Sequence, residues 1–181
     1  EKFGPNNRFA FFPSFSLGWM ISEEKFMKGL KFLDMLKLRG SWGRIGDDNV
    51  GGRWLYQDSW GYQNSNTYLG LIPTATPYSY YRITSLGNEN ISWETVEKRN
   101  VGIDYSFFKG LIAGSVDIFS DKRKDILVSG GSRSIPSFFG ATAPTANLGS
   151  TKSHGYELEL RLNYMFANKM RLWANTNYTL L

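Results

Sequence analysis

The 181-residue sequence predicts an all-β fold, namely a segment of an antiparallel, up-and-down transmembrane β-barrel. Three observations support this prediction. Polar and apolar residues alternate with period two in several stretches, as in strands with two different faces. These stretches are longer than the five or six residues usual for globular strands. The connections between them alternate between short and long, which is typical of outer-membrane barrels. We therefore expect about six strands of a larger barrel, with two long extracellular loops.

The clearest strand covers residues 152–166, and it leads into a second alternating run at residues 170–181. On one face of the first run lie Tyr156, Leu158, Leu160, Leu162, Tyr164 and Phe166. On the other face lie Gly155, Glu157, Glu159, Arg161 and Asn163. A hairpin with one apolar face and one charged face fits the edge of a soluble β-sandwich or the wall of a membrane barrel.

Four further strands are predicted at residues 8–21, 35–45, 95–107 and 111–121. In the first three, apolar side chains gather on one face and small or polar side chains on the other. The fourth is less regular, because Leu111, Ala113 and Phe119 share a face with Asp117.

The connections between these strands favour the barrel over the sandwich. Residues 108–110 and 167–169 form short turns, and residues 22–34 form a connection of intermediate length. Residues 46–94 and 122–151 form long connections with little regular pattern. A compact soluble domain rarely carries so long a connection. The short turns therefore indicate a periplasmic end, and the long connections indicate extracellular loops.

Aromatic residues mark the short-turn end of the predicted wall. The apolar faces of the three strands that run toward this end finish with Trp19, Tyr105, Phe107, Tyr164 and Phe166. An aromatic row at one level is typical of the girdle at a membrane interface. A strand of about eleven residues rises about 36 Å, or about 27 Å when tilted, which spans an apolar band of about 25 Å. In a sandwich, the same aromatic residues would fill its corners.

Composition narrows the function classes. The net charge of +5 could suggest nucleic acid, but the 21 Lys and Arg residues are scattered along the chain, so no nucleic-acid partner is expected. The densest cluster, residues 121–125, includes two aspartates and is expected in a solvated loop, with contact to anionic lipid head groups as the alternative. No apolar run approaches the roughly 18 residues of a transmembrane helix, and the sequence contains no cysteine.

Five segments, taken in order, resemble the SusC/RagA-like TonB-dependent transporters of the Bacteroidetes outer membrane. They are FPSFSLGWMISEEKFM (residues 12–27), LKLRGSWGRIG (36–46), LGNENISWETVEKRNVGIDYSFFKG (86–110), DIL (125–127) and NLGSTKSHGYELEL (147–160). Each motif alone is weakly specific, but their order and spacing follow the C-terminal half of that family's barrel.

The resemblance implies that residues 1–181 belong to a plugged barrel of 22 strands in the cell outer membrane. It implies a nutrient importer, not an enzyme, that works with a SusD-like surface lipoprotein, the TonB complex and outer-membrane lipids. The expected substrates are oligosaccharides, with peptides as the alternative, and no cofactor is expected. Residues 1–181 show no plug domain, TonB box or closing strand, so contact with TonB is expected through other parts of the protein.

The resemblance also suggests a substrate site, because extracellular loops of this family line the outer vestibule. Aromatic residues of the first long connection that are candidates for substrate contact are Trp54, Tyr56, Trp60, Tyr62, Tyr80 and Tyr81, with Tyr68 and Tyr78 nearby. Flat aromatic faces suit sugar rings, and Arg53, Gln57, Asp58 and Asn64 could supply hydrogen bonds. The alternative is that these aromatic residues pack the loop onto itself or onto the lipoprotein.

Neither a catalytic site nor a metal site is predicted. His154 is the only histidine, so no multi-histidine metal site can form within these residues. Glu157 and Glu159 have a spacing that invites comparison with glycosidase carboxylates, but alternation more simply directs both toward a wet lumen. A hydrolase would need a catalytic pair that the sequence does not offer. The alternative function is therefore a soluble carbohydrate-binding β-sandwich module.

Overall fold

A computed structural model describes residues 1–68, 77–136, 138 and 141–181, with the side chains of residues 65–68 and 77 left aside. Its eight strands are β1 (Ser14–Met20), β2 (Leu33–Asp47), β3 (Ser59–Tyr68), β4 (Pro77–Ser85), β5 (Glu94–Phe107), β6 (Ile112–Val128), β7 (Ala146–Met165) and β8 (Arg171–Leu180). Short 3-10 helical turns occupy Pro5–Asn7, Ile21–Glu23 and Gly130–Ser132. Among the described residues, no helix has the length and apolar character needed to cross a membrane.

Six of the strands form one sheet in the order β1-β2-β5-β6-β7-β8, and β3 and β4 form a separate hairpin. Strands that follow one another along the chain are neighbours in the large sheet, apart from the inserted hairpin. The sheet is antiparallel and not closed within these residues. The predicted up-and-down, all-β segment of a barrel wall is therefore confirmed.

The chain divides into two compact units. One comprises Glu1–Phe11, Gly46–Glu94 and Lys124–Ser150, and it holds the β3–β4 hairpin. We call it the loop unit. The other comprises Phe12–Ile45, Thr95–Arg123 and Thr151–Leu181, and it holds most of the large sheet. We call it the wall unit.

The strand register of the wall unit confirms the predicted faces. In the β1–β2 pair, Phe15 lies opposite Trp42 and Trp19 lies opposite Leu38. In the β7–β8 pair, Leu158 lies opposite Tyr178 and Tyr164 lies opposite Leu172. Because paired residues share a face, one face is apolar across each hairpin. Its large side chains are exposed, for example Leu17 at 66% and Ile118 at 65%.

The wall strands differ from the predicted strands mainly in length. β1 begins at Ser14, not at residue 8, whereas β7 begins at Ala146, not at residue 152. β6 continues to Val128, so the charged cluster of residues 121–125 lies in a strand. The expectation that this cluster forms a solvated loop was wrong, because Lys98 of β5 pairs with Asp121 of β6 at 3.4 Å and the alternation continues through charged residues.

The first long connection also contains regular structure that the sequence pattern did not indicate. Trp60 pairs with Ile83 and Tyr62 pairs with Tyr81 across the β3–β4 hairpin. The rings of Tyr62 and Tyr81 lie 5.3 Å apart. Aromatic pairs across neighbouring strands stabilise a hairpin, which explains why this polar stretch is ordered.

Short turns close the wall hairpins at the predicted end. Between β5 and β6, Phe108, Lys109 and Gly110 all have positive φ values, of 56°, 58° and 80°. The Gly110 amide donates a hydrogen bond to Asp34 Oδ2 at 2.9 Å. Between β7 and β8, the Met170 amide donates to Asn168 Oδ1 at 3.0 Å. These side chains satisfy backbone donors that a tight turn leaves without a strand partner.

Candidate ligand-binding cleft

A small apolar core holds the segments of the loop unit together. Phe3, Val50 and Ile91 are buried and pack with Leu55, Trp93 and Leu127. The rings of Phe3 and Trp93 stack with centroids 5.0 Å apart. The Trp93 indole donates to the Asn7 carbonyl at 3.0 Å, and the Asn7 amide group donates to the Ile91 carbonyl at 3.0 Å. These contacts fix the first residues of the chain against the segment before β5.

Beside this core, the loop unit contains an open cleft of about 910 Å³. Two aromatic residues, two carboxylates and several backbone and amide groups line it: Gly4, Pro5, Asn6, Tyr56, Gln57, Asp58, Trp60, Gly87 and Glu89. The volume falls within the range of ligand pockets, and the lining combines flat rings with hydrogen-bonding groups. This is the arrangement expected of a site for a polar, ring-containing or peptide-like ligand.

Backbone contacts set the shape of the cleft. The Gly87 amide donates to Asp58 Oδ1 at 2.7 Å, and the Asn88 amide donates to the Leu55 carbonyl at 2.9 Å. A side chain at Gly87 would place its Cβ 2.4 Å from the carbonyl carbon of Gln57. Only glycine therefore permits the two segments to approach this closely.

The electrostatic character of the cleft favours neutral and cationic ligand groups. Asp58 and Glu89 line it, and no lysine or arginine of the described residues does. Burial raises the pKa of Tyr56, and the Glu1 carboxylate, which accepts a hydrogen bond from the phenol at 3.4 Å, raises it further. The Tyr56 hydroxyl is therefore neutral at physiological pH and remains a hydrogen-bond donor.

The structure brings only some of the predicted contact residues together. Tyr56 and Trp60 line the cleft with Gln57 and Asp58, and Trp60 is 64% exposed. The Trp54 ring lies 6.1 Å from that of Tyr56 but does not line the cleft.

The other predicted aromatic residues lie on the hairpin. The rings of Tyr62 and Tyr81 meet at a tilt on one of its faces, whereas Tyr80 pairs with Gln63 on the other. The Tyr68 side chain lies outside the described part of the chain. Substrate contact by the hairpin residues therefore stays a prediction.

Sequence reasoning missed Asn6, Gly87 and Glu89 as lining residues. Gly87 and Glu89 belong to the stretch LGNEN (residues 86–90). This stretch formed part of the family resemblance, but no binding role was predicted for it. Asn6 lies in the first 3-10 turn, where no pattern distinguishes it. Their proximity to Trp60 depends on tertiary contacts and not on spacing along the chain.

The predicted girdle residues lie at the short-turn ends of the wall strands. The Trp19 indole donates to Glu24 Oε1 at 3.0 Å, and the Tyr164 and Phe166 rings meet edge to face at 4.7 Å. Phe107 stacks on Phe32 at 6.3 Å, which adds an aromatic residue that the sequence pattern did not single out. Their location at a membrane interface remains a prediction.

One of the two carboxylates considered for catalysis, Glu159, has a structural partner. Both oxygens of Glu159 accept hydrogen bonds from Arg161, at 2.6 and 3.0 Å. A carboxylate engaged in this way on both oxygens is not poised for proton transfer. His154 is exposed on β7, and no group of three metal-ligand side chains occurs in the described parts of the chain.

Comparison with known proteins gives one consistent family. The family model "TonB dependent receptor-like, beta-barrel" matches residues 2–181. The chain is 36% identical over 161 residues to the TonB-dependent receptor SusC of Bacteroides thetaiotaomicron, which covers 88% of this chain and 16% of that protein. It is 35% identical over 163 residues to the TonB-dependent receptor P39 of Formosa agariphila, which covers 88% of this chain and 14% of that protein.

Solved structures of RagAB support the same family assignment. The structure of the RagAB peptide transporter superposes with a TM-score of 0.76 at 26% identity, covering 98% of this chain and 18% of that chain. The RagAB peptide importer in its "open-open" state superposes with a TM-score of 0.79 at the same identity and coverage. The chain therefore spans less than a fifth of each of these relatives. It belongs to the TonB-dependent receptor β-barrel family, within the SusC/RagA group.

Proposed function

We propose that residues 1–181 form part of the wall and extracellular loops of an outer-membrane importer, which takes up oligosaccharides or, alternatively, peptides. In this proposal a SusD-like surface lipoprotein helps to capture the ligand, and the TonB complex drives its passage through other parts of the protein. The observation that carries the proposal is the combination of an exposed apolar sheet face with a polar, aromatic cleft in one family member.

The exposed apolar face supports a location in the membrane. Leu17, Ile118 and Leu172 are each more than half exposed on strands whose opposite faces are polar. A soluble protein rarely leaves so continuous an apolar surface in water. Lipid would remove these side chains from water, with girdle residues Trp19, Tyr105, Phe107, Tyr164 and Phe166 at the periplasmic interface. Membership of the transporter family also argues against a soluble carbohydrate-binding sandwich.

The composition of the cleft supports capture of a neutral ligand. The Trp60 ring offers a flat apolar surface for the C–H patches of a sugar ring, and the Tyr56 hydroxyl, which donates to Glu1, can accept a hydrogen bond from a ligand hydroxyl group. Asp58 and Glu89 can accept hydrogen bonds from ligand hydroxyl groups. The same carboxylates can accept from the N–H groups of a peptide, and the RagAB relatives are described as peptide transporters. Both ligand classes therefore belong in the test.

Replacing Trp60 with alanine tests the site. Trp60→Ala should weaken ligand binding or uptake by roughly 5- to 30-fold, because an aromatic stacking surface contributes about 1–2 kcal/mol. Uptake of candidate oligosaccharides and peptides by cells that express the full-length protein provides the measurement, with surface expression checked for each variant.

Phe9→Ala serves as the matched control, because Phe9 is also an exposed aromatic residue of the loop unit, lies outside the cleft lining and is not among the predicted substrate contacts. It should change uptake by less than about twofold. If Trp60→Ala leaves uptake unchanged, or if Phe9→Ala reduces it equally, the cleft is not the site of capture.

A further inference from the structure

Three neighbouring strands present basic side chains on the apolar face of the wall unit, just beyond its apolar stretch. Arg99 precedes Val101 by two positions on β5, and Lys122 follows Ile118 by four positions on β6. Lys152 precedes Tyr156 by four positions on β7. Because side chains on the same face recur every second residue, all three continue the apolar face toward the long connections.

Contacts in the wall unit bear out this assignment of faces. Glu97, Arg99, Ser120, Lys122 and Lys152 together line one depression of about 220 Å³. The intervening residues Lys98 and Asp121 pair with each other at 3.4 Å, as expected of side chains on the opposite face. We call the five lining residues the basic depression.

Charge in the basic depression is unbalanced. Glu97 Oε1 accepts a hydrogen bond from Arg99 Nε at 2.9 Å, which offsets one positive charge. Neither Lys122 nor Lys152 forms an ion pair with any residue that the structure describes. The Ser120 hydroxyl adds a hydrogen-bond donor. Two ammonium groups without an ion pair among the described residues, a guanidinium and a hydroxyl around one depression supply the positive charge and the hydrogen-bond donors that a phosphate group accepts.

Aromatic residues of the apolar face flank the basic depression. The Trp42 indole donates to Glu97 Oε1 at 3.1 Å, and Trp42 lies opposite Phe15. On the other side, the rings of Tyr156 and Tyr178 lie 6.1 Å apart on the apolar face. Tryptophan and tyrosine are enriched where the hydrocarbon meets the head groups. In the proposed outer-membrane location, these residues form a second aromatic row at the loop end and place the basic depression at head-group level.

We propose that the basic depression binds the phosphate of an anionic lipid, such as a phosphorylated glycolipid, in the leaflet next to the long loops. This proposal rests on the proposed location in the outer membrane. Arg99, Lys122 and Lys152 contact the phosphate oxygens, Ser120 donates a hydrogen bond, and the acyl chains lie along the apolar face below.

The test compares two double variants of the natural full-length protein purified in detergent. Lys122→Gln/Lys152→Gln removes two charges from the basic depression. Lys37→Gln/Arg123→Gln removes the same charge from the polar face of the same sheet. On that face, Lys37 is the cross-strand partner of Met20. Bis-phosphorylated lipid A is titrated against each protein, and binding is followed by native mass spectrometry. Thermal unfolding confirms that both variants are folded.

Loss of the two lysines should weaken lipid A binding roughly 25-fold, at about fivefold for each lysine beside an anionic lipid. The opposite-face variant should stay within about twofold of the wild type. Fully dephosphorylated lipid A should not distinguish the wild type from the Lys122→Gln/Lys152→Gln variant, and millimolar inorganic phosphate should not displace the lipid. Equal losses in both double variants, unchanged affinity in the first, or displacement by inorganic phosphate alone would overturn the proposal.

Reconstitution separates this proposal from the location on which it rests. If the wild type inserts into vesicles of neutral phosphatidylcholine but shows no preference for phosphorylated lipid, the basic depression is not a lipid site and the membrane location stands. If the wild type fails to insert into neutral vesicles, the location itself is wrong, and the lipid site falls with it.

Discussion

At the scale of single residues, Arg39 organises the polar face of the wall unit. Its Nη2 donates to Asp117 Oδ2 at 2.6 Å, its Nε donates to Asp104 Oδ1 at 3.2 Å, and its Nη1 donates to Asn100 Oδ1 at 3.3 Å. Gly102 leaves room for the guanidinium, since a Cβ there would lie 2.8 Å from Arg39 Cζ. Asp117 is only 7% exposed, and Arg39 is the cation that contacts its carboxylate.

Arg39→Met should destabilise the fold by roughly 1–3 kcal/mol, because it leaves Asp117 buried without a cationic partner. The effect should be smaller than for a fully buried pair, since the Arg39 side chain is 34% exposed. Urea unfolding of the detergent-solubilised protein, followed by tryptophan fluorescence, gives the change in free energy.

Lys98→Met is the matched control for Arg39→Met. Lys98 also pairs with an aspartate across β5 and β6, but its side chain is 54% exposed. An exposed ion pair contributes at most about 1 kcal/mol, so this variant should unfold close to the wild type. Equal destabilisation by the two variants would show that Arg39 has no special role.

At the scale of strands, Tyr105 of β5 reaches across Gly114 of β6 to contact the backbone of β7. The Tyr105 hydroxyl of β5 donates to the Glu159 carbonyl of β7 at 3.4 Å. Its path lies over Gly114 of β6, where a Cβ would come within 2.0 Å of the Glu159 carbonyl oxygen and 2.7 Å of Tyr105 Oη. The missing side chain thus permits both the strand pairing and the tyrosine contact.

Gly114→Ala should therefore destabilise the wall by roughly 1–3 kcal/mol, as expected when a packed site is overfilled. Gly40→Ala provides the control, because Gly40 also occupies the apolar face of a wall strand but has only the Asn100 carbonyl oxygen near its Cβ position, at 4.0 Å. The control should change stability by less than about 1 kcal/mol. Thermal unfolding of both variants in detergent provides the comparison, and a neutral Gly114→Ala would contradict the packing described for β6.

The existence and faces of the wall strands could be predicted, because period-two alternation is a local property of the sequence. The extension of β6 through residues 121–125 could not, because a charge-rich strand has the composition of a loop and only the Lys98–Asp121 pair identifies it as a strand. The β3–β4 hairpin was missed for a related reason. Its order depends on cross-strand aromatic pairs such as Tyr62–Tyr81, which a single sequence does not reveal.

The sequence predicted an aromatic, polar site in the first long connection, but it did not predict which residues line the site. Abundant aromatic residues in the first long connection pointed to Tyr56 and Trp60, and both line the cleft. Trp54 and Tyr81 are aromatic residues of the same connection, but they lie outside the cleft lining. Glu89 and Asn6 reach the cleft through folding of distant segments onto the Phe3–Trp93 core, which no local pattern encodes.

At the scale of the whole molecule, the two faces of the large sheet differ in polarity. Its apolar face carries exposed leucine, isoleucine and aromatic side chains, whereas its polar face carries the ion pairs of Arg39 and Lys98. A membrane-spanning sheet must also satisfy the backbone groups of its outer edges, which in this sheet are β1 and β8. The central claim is that the apolar face contacts lipid and the polar face lines a wet lumen.

Cysteine accessibility along β7 tests this claim most directly, because residues 1–181 contain no cysteine. Single cysteines are placed at successive positions from Glu157 to Asn163 in the full-length protein and labelled in intact outer membranes with a membrane-impermeant and a lipid-soluble maleimide. Labelling should alternate with period two, with the impermeant reagent reaching Glu157, Glu159 and Asn163 and the lipid-soluble reagent favouring Leu158, Leu160 and Leu162. Uniform labelling by the impermeant reagent, or alternation in the opposite phase, would contradict the account.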